Sequence, residues 1–339
     1  MICSKIRTSR LLMEDDSMAT SKLGIVFMGT PDFAVATLEA IVNAGYTVKG
    51  VITSPDKPSG RGLKLHPSPV KEFALNHNLA VLQPLKLKDP EFLQTLHNLQ
   101  ADLQVVVAFR MLPVEVWCMP RLGTFNLHAS LLPQYRGAAP INWAVINGEK
   151  KTGVTTFFLN HEIDTGSVIF TEESVIGEYE TAGEVHDRLM VIGAQLVVKT
   201  IESIAEGNAS SVEQHLLNFT EILKPAPKLF KNDCRIPWNN EVKKLHNLIR
   251  GLSPYPTAWS EIVTGKGENM TVKIYAGTPV IKQHPQDTGV IETDGKSFLW
   301  VAVNDGFISI DSIQLQGKKQ MAIAEFLRGF PQAADCRFK

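Results

Sequence analysis

The sequence predicts an α/β protein in which a doubly wound domain precedes a smaller β domain. The first observation is a strand–helix–strand unit within Leu23–Ile52, the usual start of a doubly wound sheet. The second is a series of short strand-like runs separated by Gly, Asn or Asp near the end of the chain. The length of 339 residues fits two or three domains. We therefore expect a leader over 1–21, a first domain over 22–205, a linker over 206–227 and a second domain over 228–335.

The strand–helix–strand unit is defined by its apolar pattern. Leu23–Met28 is a continuous apolar run, typical of a buried parallel strand. Thr30 is expected to cap the following helix, with Pro31 at its first position and Asp32 complementing its positive end. The helix stripe that faces the core comprises Phe33, Thr37, Leu38, Ile41 and Val42. Because Gly29–Asp32 lacks the second glycine of G-x-G-x-x-G, we expect no dinucleotide site here.

A long basic loop, Thr53–Lys71, follows the second strand. Four prolines and two glycines make it too irregular for a helix or a strand. Its cations include Lys57, Arg61 and Lys64, which outweigh Asp56. Loops of this length inside a compact domain are usually functional or disordered. Two interpretations stay open at this point, a solvated linker and a basic finger that contacts a phosphate backbone.

The remaining elements of the first domain alternate between helical and strand patterns. Helices are expected at Val70–Asn76, Asp89–Gln100, Ala138–Asn147 and Thr181–Ile204, and strands at Val81–Leu82, Leu103–Ala108, Val154–Leu159 and Ser167–Glu172. The last of these helices opens with a capping box, Thr181 followed by Glu184. Leu103–Ala108 is the most apolar strand, and the turn after it, Phe109–Pro113, lies where open α/β sheets bind ligands. An apolar, aromatic rim of this kind suits a flat heterocycle.

A polar pair marks the candidate catalytic strand. Asn126 and His128 are two residues apart in a short β run, so an extended backbone projects both side chains from one face. An amide beside an imidazole can stabilise a developing oxyanion and manage a proton. Asp164, further along the chain, would orient the histidine if the fold brings the two together. The alternative is a buried Asn and His satisfied by neighbouring backbone groups, but the nearby Arg136 and the later aspartate favour a site.

The C-terminal region combines a basic segment with short strands. Lys224–Arg250 carries more cations than anions, which indicates either a solvated face or an RNA-facing surface. Within it, Asn240–Arg250 is expected to form an amphipathic helix. Strands are expected at Trp259–Val263, Val272–Tyr275, Gly289–Glu292, Phe298–Val303 and Phe307–Gln314. Short strands at this spacing predict a small barrel or a sandwich.

Composition argues against several classes of protein. The net charge of −1 disfavours non-specific nucleic-acid binding by the whole surface, although a local basic patch is compatible with it. The four cysteines form neither a CxxC pair nor a Cys/His ligand pattern, so we expect no structural zinc, no disulfide framework and a reducing cytoplasm. No apolar run is long enough to suggest a membrane span. Residues 1–21 lack the apolar core of a signal peptide, and we expect a disordered leader.

Taken together, these motifs resemble the folate-dependent formyltransferase family. The family's Asn-x-His signature followed by S-L-L-P-x-x-R-G is found here from Asn126 to Gly137, and its D-T-G aspartate is Asp164. The family's opening F-x-G-T-P-x-F matches Phe27–Phe33. The resemblance covers roughly residues 22–335, and the combined motif string is highly specific. It implies a Rossmann-like catalytic domain followed by an OB-like β-barrel.

The resemblance also implies a chemistry and the residues that perform it. The formyl donor would be 10-formyltetrahydrofolate, and no metal is expected because the activated formyl group arrives on the folate. Asn126 and His128 would stabilise the oxyanion, and Asp164 would orient His128 and help to relay the proton that leaves the amine. Folate contacts are implied for Phe109, Arg110, Met111, Leu112, Ser130, Leu131, Leu132 and Pro133. RNA contacts are implied for Lys57, Arg61, Lys64 and Arg136.

Other stretches indicate the acceptor. The loop Pro55–Leu65 resembles an insertion found in family members that formylate methionyl-initiator-tRNA, and Arg235–Trp238 and Ser253–Trp259 resemble their barrel. We therefore expect methionyl-tRNA as the partner of a cytoplasmic monomer. Formylation of an amino-sugar nucleotide and a non-catalytic RNA-binding role are the alternatives. The turn Phe109–Pro113 is one residue shorter than the family's Y-G-x-I-L-P, but folate binding through backbone groups should survive this change.

Overall fold

The computed structural model describes residues 23–59, 64–217 and 222–339. Of these, the residues within Met1–His128, Val154–Glu172 and Met190–Thr220 form one compact unit, and those within Ala129–Gly153, Glu173–Leu189 and Glu221–Lys339 form a second. The expected leader, 1–21, lies outside the described residues. Within the described ranges, no helix has the length and apolar character needed to cross a bilayer.

Helices and strands alternate irregularly along the chain. The strands are β1 (Gly24–Gly29), β2 (Thr47–Ile52), β3 (Lys57–Ser59), β4 (Lys64–His66), β5 (Val81–Leu82), β6 (Leu103–Val107), β7 (Thr124–His128), β8 (Lys151–Phe158), β9 (Val168–Val175), β10 (Ala258–Val263), β11 (Asn269–Val280), β12 (Ile291–Thr293), β13 (Leu299–Val303), β14 (Gly306–Leu315), β15 (Met321–Ala322) and β16 (Arg337–Phe338). The helices are α1 (Asp32–Asn43), α2 (Pro69–Asn76), α3 (Pro90–Asn98), α4 (Val114–Trp117), α5 (Pro140–Ile146), α6 (Ala182–Ala205), α7 (Val242–Leu252) and α8 (Ile323–Gly329). Short 3₁₀ turns lie at Gln214–Leu216, Lys231–Cys234 and Ala333–Asp335. The sequence does not predict α4, α8, β15 or β16, because each is too short for its periodicity to show.

The first unit is built on a mixed sheet with the strand order β5-β2-β1-β6-β7-β8-β9. β1 is central and pairs in parallel with β2 on one side and with β6 on the other. The chain order reverses at this point, and in such a sheet the crevice at the carboxyl ends of the two diverging strands binds ligands. β7 continues the parallel part beside β6, whereas β8 runs antiparallel to β7. The predicted doubly wound fold is confirmed, with an antiparallel strand added to it.

The core of this unit follows from its most apolar elements. Every residue of β1 is buried, as a central parallel strand requires. Of the stripe predicted for α1, Phe33, Thr37, Leu38 and Ile41 are buried, while Val42 is only half-buried. The amphipathic pattern therefore assigned the inward face of this helix correctly.

The predicted cap of α1 is wrong by one residue. The helix begins at Asp32, and the residue before it is Pro31, whose backbone is extended and whose side chain makes no cap. Thr30 instead places its hydroxyl oxygen 3.1 Å from that of Ser54. Because Pro31 takes the position before the helix, Thr30 is too far from the first turn to accept a hydrogen bond from it.

The basic loop contains a small hairpin that the sequence does not predict. β3 and β4 pair antiparallel, with Lys57 opposite His66 and Pro58 opposite Leu65. The prediction of an irregular loop is therefore wrong for these residues. Strands of three residues are too short for alternation of polar and apolar side chains to be recognised.

The second unit contains the predicted C-terminal barrel. Its antiparallel sheet follows the order β12-β13-β14-β11-β10-β16, and β15 pairs with β14. A bridge between Val290 and Arg337 joins the two edges of the sheet, so that it nearly closes on itself. α7 packs against β11 and β14 and buries Val242, Ile249 and Leu252 completely. The prediction of an OB-like β-barrel is confirmed by this nearly closed sheet.

Candidate active site

β7 places the candidate catalytic pair at the carboxyl end of a strand inside the sheet. Asn126 lies opposite Val106 of β6 and Phe157 of β8, so the strand is held on both sides. Asn126 and His128 are alternate residues and therefore share one face of the sheet. Asn126 is half-buried, and His128 is 6% exposed. The pair thus has little contact with solvent at the edge where this kind of sheet binds ligands.

Asp164 lies beside His128. Its Oδ2 atom is 3.8 Å from His128 Nδ1, and the side chains of Asp164 and His128 are 15% and 7% exposed. The distance exceeds that of a hydrogen bond, and both side chains lie in a poorly solvated site. Asp164 has a φ of +54°, a left-handed conformation that its surroundings must support. The fold therefore brings together the histidine and the aspartate that the sequence singles out.

The turn that carries Asp164 is tightly packed. A Cβ atom at Gly166 would lie 1.6 Å from the carbonyl oxygen of Phe158, so only glycine allows the turn to approach the end of β8 this closely. From elsewhere in the chain, the Gln214 amide donates to the carbonyl oxygens of Asp164 and Gly166, both at 2.9 Å. Sequence reasoning missed Gln214, because no local pattern marks a residue whose partner is so distant along the chain.

The segment after β7 forms a tight turn in the second unit. Ser130 is fully buried, and its hydroxyl donates to the carbonyl oxygen of Gln134 at 2.6 Å. Leu132 and Pro133 are buried, whereas Leu131 is half-buried. These side chains give the turn its shape, and the folate contacts expected of Ser130, Leu131, Leu132 and Pro133 stay a prediction.

The turn after β6 is braced by Arg110. Its guanidinium donates to the carbonyl oxygens of Pro84 and Leu85, the latter at 2.9 Å. It also lies over the Phe109 ring, 5.6 Å from the centroid. Burial lowers the pKa of the Arg110 guanidinium, which an arginine tolerates without losing its charge. Arg110 Nε is buried and has no hydrogen-bond partner in the part of the chain that the structure describes.

The described residues expected to bind RNA belong to both units. Lys57 is exposed in β3, and Lys64 begins β4. Arg61 lies outside the described residues. Arg136 is half-buried in the turn of the second unit. The RNA contacts of all four residues stay a prediction.

Asp56 anchors the basic hairpin at its base. It accepts hydrogen bonds from Gln83 Nε2 at 2.8 Å and from Lys71 Nζ at 2.7 Å. The bond from Gln83, followed by that from Lys71, holds the pKa of the Asp56 carboxyl below its ordinary value. Lys71 is therefore engaged within the protein, and the remaining basic residues of the loop are the better candidates for contact with a phosphate.

The described residues include no cluster of side chains suited to holding a metal ion. Within residues 23–59, 64–217 and 222–339, no group of three or more His, Cys, Asp or Glu side chains has the arrangement of a metal site. His161, which follows β8, contacts the edge of the Trp117 ring with 5.2 Å between centroids. Asn126, His128 and Asp164 bring an amide, an imidazole and a carboxylate to this part of the first unit, a set suited to acyl transfer.

Comparison with known protein families supports this assignment of chemistry. A family described as "Formyl transferase" matches residues 22–201, more than half of the chain. The chain belongs to the formyl transferase family. A second family, described as "Formyl transferase, C-terminal domain", matches residues 228–331. The family predicted from the sequence motifs is confirmed, and with it the prediction of a formyl-transferring enzyme.

Relatives with high identity extend over nearly the whole chain. A protein named methionyl-tRNA formyltransferase from Bacteroides fragilis strain ATCC 25285 is 58% identical over 313 residues, which covers 92% of this chain and 97% of the relative. A protein of the same name from Porphyromonas gingivalis strain W83 is 49% identical over 321 residues, covering 94% and 99%. This chain is therefore similar in sequence and in extent to methionyl-tRNA formyltransferases of these bacteria.

Solved structures share the fold at much lower identity. An N-formyltransferase from Helicobacter canadensis, solved with folinic acid and dTDP-3-aminofucose, matches with a TM-score of 0.59 and 20% identity over 88% of this chain and 99% of its own. HypX from Aquifex aeolicus, solved with tetrahydrofolic acid, matches with a TM-score of 0.60 and 17% identity over 91% and 47%. At these identities the likeness shows a common fold and carries no conclusion about the acceptor.

Proposed function

We propose that this chain transfers the formyl group of 10-formyltetrahydrofolate to the α-amine of methionyl-initiator-tRNA. The observation that carries the proposal is the close approach of Asp164 to His128, with Asn126 on the same strand. Acyl transfer to an amine needs donors for an oxyanion and an acceptor for a proton, and these three groups supply both. The choice of acceptor is supported by the name that relatives 49% and 58% identical to this chain share.

Each of the three side chains has a distinct task in this proposal. Asn126 donates its amide hydrogen to the formyl oxygen as negative charge develops on it. His128 donates to the same oxygen, and Asp164 orients the imidazole and helps to remove the proton that the attacking amine loses. The tetrahedral species then collapses, the bond between the formyl carbon and N10 of the folate breaks, and N10 leaves with a proton as tetrahydrofolate. Loss of one preorganised donor of this kind costs about 100- to 1000-fold in kcat.

The turn after β6 fits the formyl donor. Met111 is 65% exposed and Phe109 is half-buried, so the turn offers apolar surface to a flat ring. Arg110 holds this turn in place through the carbonyl oxygens of Pro84 and Leu85. Leu112 is only 6% exposed and packs into the core below. We assign Phe109–Leu112 to the folate, which supplies a formyl group that is already activated.

The tRNA is assigned to the basic hairpin and the barrel. Lys57 is exposed, and Asp56 fixes the base of the hairpin through Gln83 and Lys71. A hairpin held in this way can present Lys57 to a phosphate backbone, and Arg61 and Lys64 are assigned to the same RNA by their place in the sequence. In this proposal residues 22–205 perform catalysis, 206–227 link the domains, and 228–335 bind RNA.

One experiment distinguishes methionyl-tRNA from an amino sugar as the acceptor of the formyl group. The purified protein is mixed with labelled 10-formyltetrahydrofolate and either methionyl-initiator-tRNA or a dTDP-linked amino sugar. We expect label on the methionine of the tRNA, and His128→Ala serves as the inactive control. Label on the amino sugar alone would contradict the proposed acceptor, and label on neither would favour a non-catalytic role.

A further inference from the structure

One side chain connects the segment after α6 to the turn that carries Asp164. Gln214 is 4% exposed, and its Nε2 donates to the carbonyl oxygens of both Asp164 and Gly166 at 2.9 Å. Both hydrogens of the amide are therefore used on one short turn. Gln214 lies between the two spans matched by the families, 22–201 and 228–331. This segment thus does more than join two domains.

The backbone around Gln214 is itself fixed. Val212 forms an antiparallel bridge with Val168, and each of these residues donates its N–H to the carbonyl of the other at 2.8 Å. The 3₁₀ turn Gln214–Leu216 follows at once. The position of the Gln214 side chain is consequently set by main-chain hydrogen bonds on β9, and its contact with the turn is a fixed feature of the first unit.

The turn is held at its ends by main-chain hydrogen bonds. Leu159 N donates to Thr124 O of β7 at 2.9 Å, and Phe158 N donates to Ser167 O at 3.0 Å. Between these ends, Thr165 Oγ1 and Glu162 N donate to Asn160 Oδ1 at 2.9 and 3.0 Å. Asp164 lies in the middle of the turn and has a left-handed backbone, which relaxes unless its surroundings hold it. Gln214 adds a restraint at this point, at both Asp164 and Gly166.

We propose that Gln214 is a positioning residue that holds Asp164 at its distance from His128. The importance of that distance for turnover rests on the proposed function, whereas the restraint itself does not. Without the amide, two poorly solvated carbonyl oxygens each lose a donor, and the restraint on the turn weakens. A displacement of about 1 Å in a catalytic group lowers turnover by about 100-fold.

Two substitutions test the restraint. Gln214→Met keeps a similar length and removes both donors, and Gln214→Asn keeps an amide on a shorter side chain. We expect Gln214→Met to lower kcat by about 100-fold and to change KM for either substrate by less than about threefold. Gln214→Asn keeps the amide but draws its nitrogen back from both carbonyls by one methylene, so it should lower kcat as Gln214→Met does. An unchanged kcat in Gln214→Met, or a wild-type kcat in Gln214→Asn, would overturn the proposal.

A matched control separates positioning from general destabilisation. Thr200 is fully buried, and its hydroxyl contacts Thr156 Oγ1 at 2.9 Å and donates to Leu196 O at 2.7 Å. Thr200→Val removes these buried bonds without touching the Asp164 turn, so kcat per folded molecule should stay within about twofold of wild type. An equal loss of kcat in both variants would show that Gln214 acts only through stability.

Hydrogen exchange provides a measurement that needs no substrate. Amides of residues 160–167 should exchange faster in Gln214→Met than in the wild-type protein, and Thr200→Val should leave them unchanged. Unaltered exchange in Gln214→Met would refute the restraint even if kcat fell. If the wild-type protein does not formylate methionyl-tRNA, the proposed function fails, while the exchange data still decide whether Gln214 positions the turn.

Discussion

His128 Nδ1 and Asp164 Oδ2 lie 3.8 Å apart, a distance longer than that of a direct hydrogen bond. Catalytic hydrogen bonds are often long before substrate binds and shorten in the reacting complex. A carboxylate held at this distance can turn towards the histidine or towards an incoming amine with a small movement. This freedom suits a residue that both orients a neighbour and relays a proton.

Removal of any one of the three catalytic side chains should nearly abolish turnover. We expect Asn126→Ala, His128→Ala and Asp164→Ala each to lower kcat by about 100- to 1000-fold, because each loses a group to which we assign oxyanion stabilisation or proton transfer. The measurement is transfer of labelled formyl to methionyl-tRNA, with thermal unfolding of each variant to check its fold. Near-normal activity of His128→Ala would exclude the assignment.

A double substitution tests whether His128 and Asp164 act together. Residues that work as a unit lose activity non-additively. We therefore expect His128→Ala/Asp164→Ala to be only slightly worse than the poorer of the two single variants. Fully additive losses would mean that Asp164 acts on the substrate independently of His128.

Arg110 should matter for the folate and not for the tRNA. Arg110→Ala loses the hydrogen bonds to Pro84 and Leu85 that hold the turn after β6. Charge-assisted hydrogen bonds of this kind stabilise the turn, so their loss should weaken the binding of the folate. We expect KM for the folate to rise about tenfold and KM for methionyl-tRNA to stay unchanged. Arg121→Ala is the control, because Arg121 is exposed and pairs with Asp102. A similar rise in both KM values for Arg110→Ala would contradict this role.

The parts of the fold that the sequence predicts are those with local signals. The capping box at the start of α6 is confirmed, since Thr181 Oγ1 accepts from Glu184 N at 3.2 Å and Glu184 Oε2 accepts from Thr181 N at 2.8 Å. β7 is predicted for the same reason, because alternation along the strand is sufficient to place Asn126 and His128 on one face. In each case the residues that decide the structure lie within a few positions of each other.

The parts that the sequence does not predict depend on contacts between distant segments. Arg110 belongs to the turn that is one residue shorter than the family pattern, but its partners Pro84 and Leu85 follow another strand. Gln214 belongs to a polar stretch without periodicity, and only the folded chain brings it to Asp164. Neither contact leaves a spacing or composition that a single sequence can reveal.

The basic hairpin should contribute to tRNA binding through charge. We expect Lys57→Glu, Arg61→Glu and Lys64→Glu each to raise KM for methionyl-tRNA more than it lowers kcat, because phosphate contacts strengthen binding without taking part in the chemistry. Each lost contact should also reduce the salt dependence of log KM by about one unit of slope. Lys199→Glu on α6 makes the same charge change away from the hairpin and should leave both values unchanged. If the KM of the wild-type protein for methionyl-tRNA does not depend on salt, the hairpin is a linker that does not bind the tRNA.

The contribution of the Asp56 carboxylate to the stability of the protein should be lost in acid. The pKa of the Asp56 carboxyl is held low by Gln83 and Lys71, so its contribution to stability is present above the unfolded value of about 4 and is lost as pH falls through the folded value. We expect Asp56→Asn to unfold at a lower temperature than wild type at pH 7, and the difference to shrink below about pH 4. Thermal unfolding across this range checks the sign. A difference that grows in acid would show that the ionised carboxylate is not the stabilising form.

Gly166 should tolerate no side chain, because its backbone touches the end of β8. The Cβ of Gly166→Ala would meet Phe158 O at 1.6 Å, and a clash with backbone can be relieved only by moving the turn. Since Asp164 belongs to the same turn, we expect kcat to fall by about 100-fold and the protein to lose about 1–3 kcal/mol of stability. Gly329→Ala is the matched control, because nothing lies within 4 Å of the added methyl and alanine suits the end of α8. If Gly166→Ala kept wild-type turnover, the turn could move without displacing Asp164, and the distance between Asp164 and His128 could not be what limits the rate.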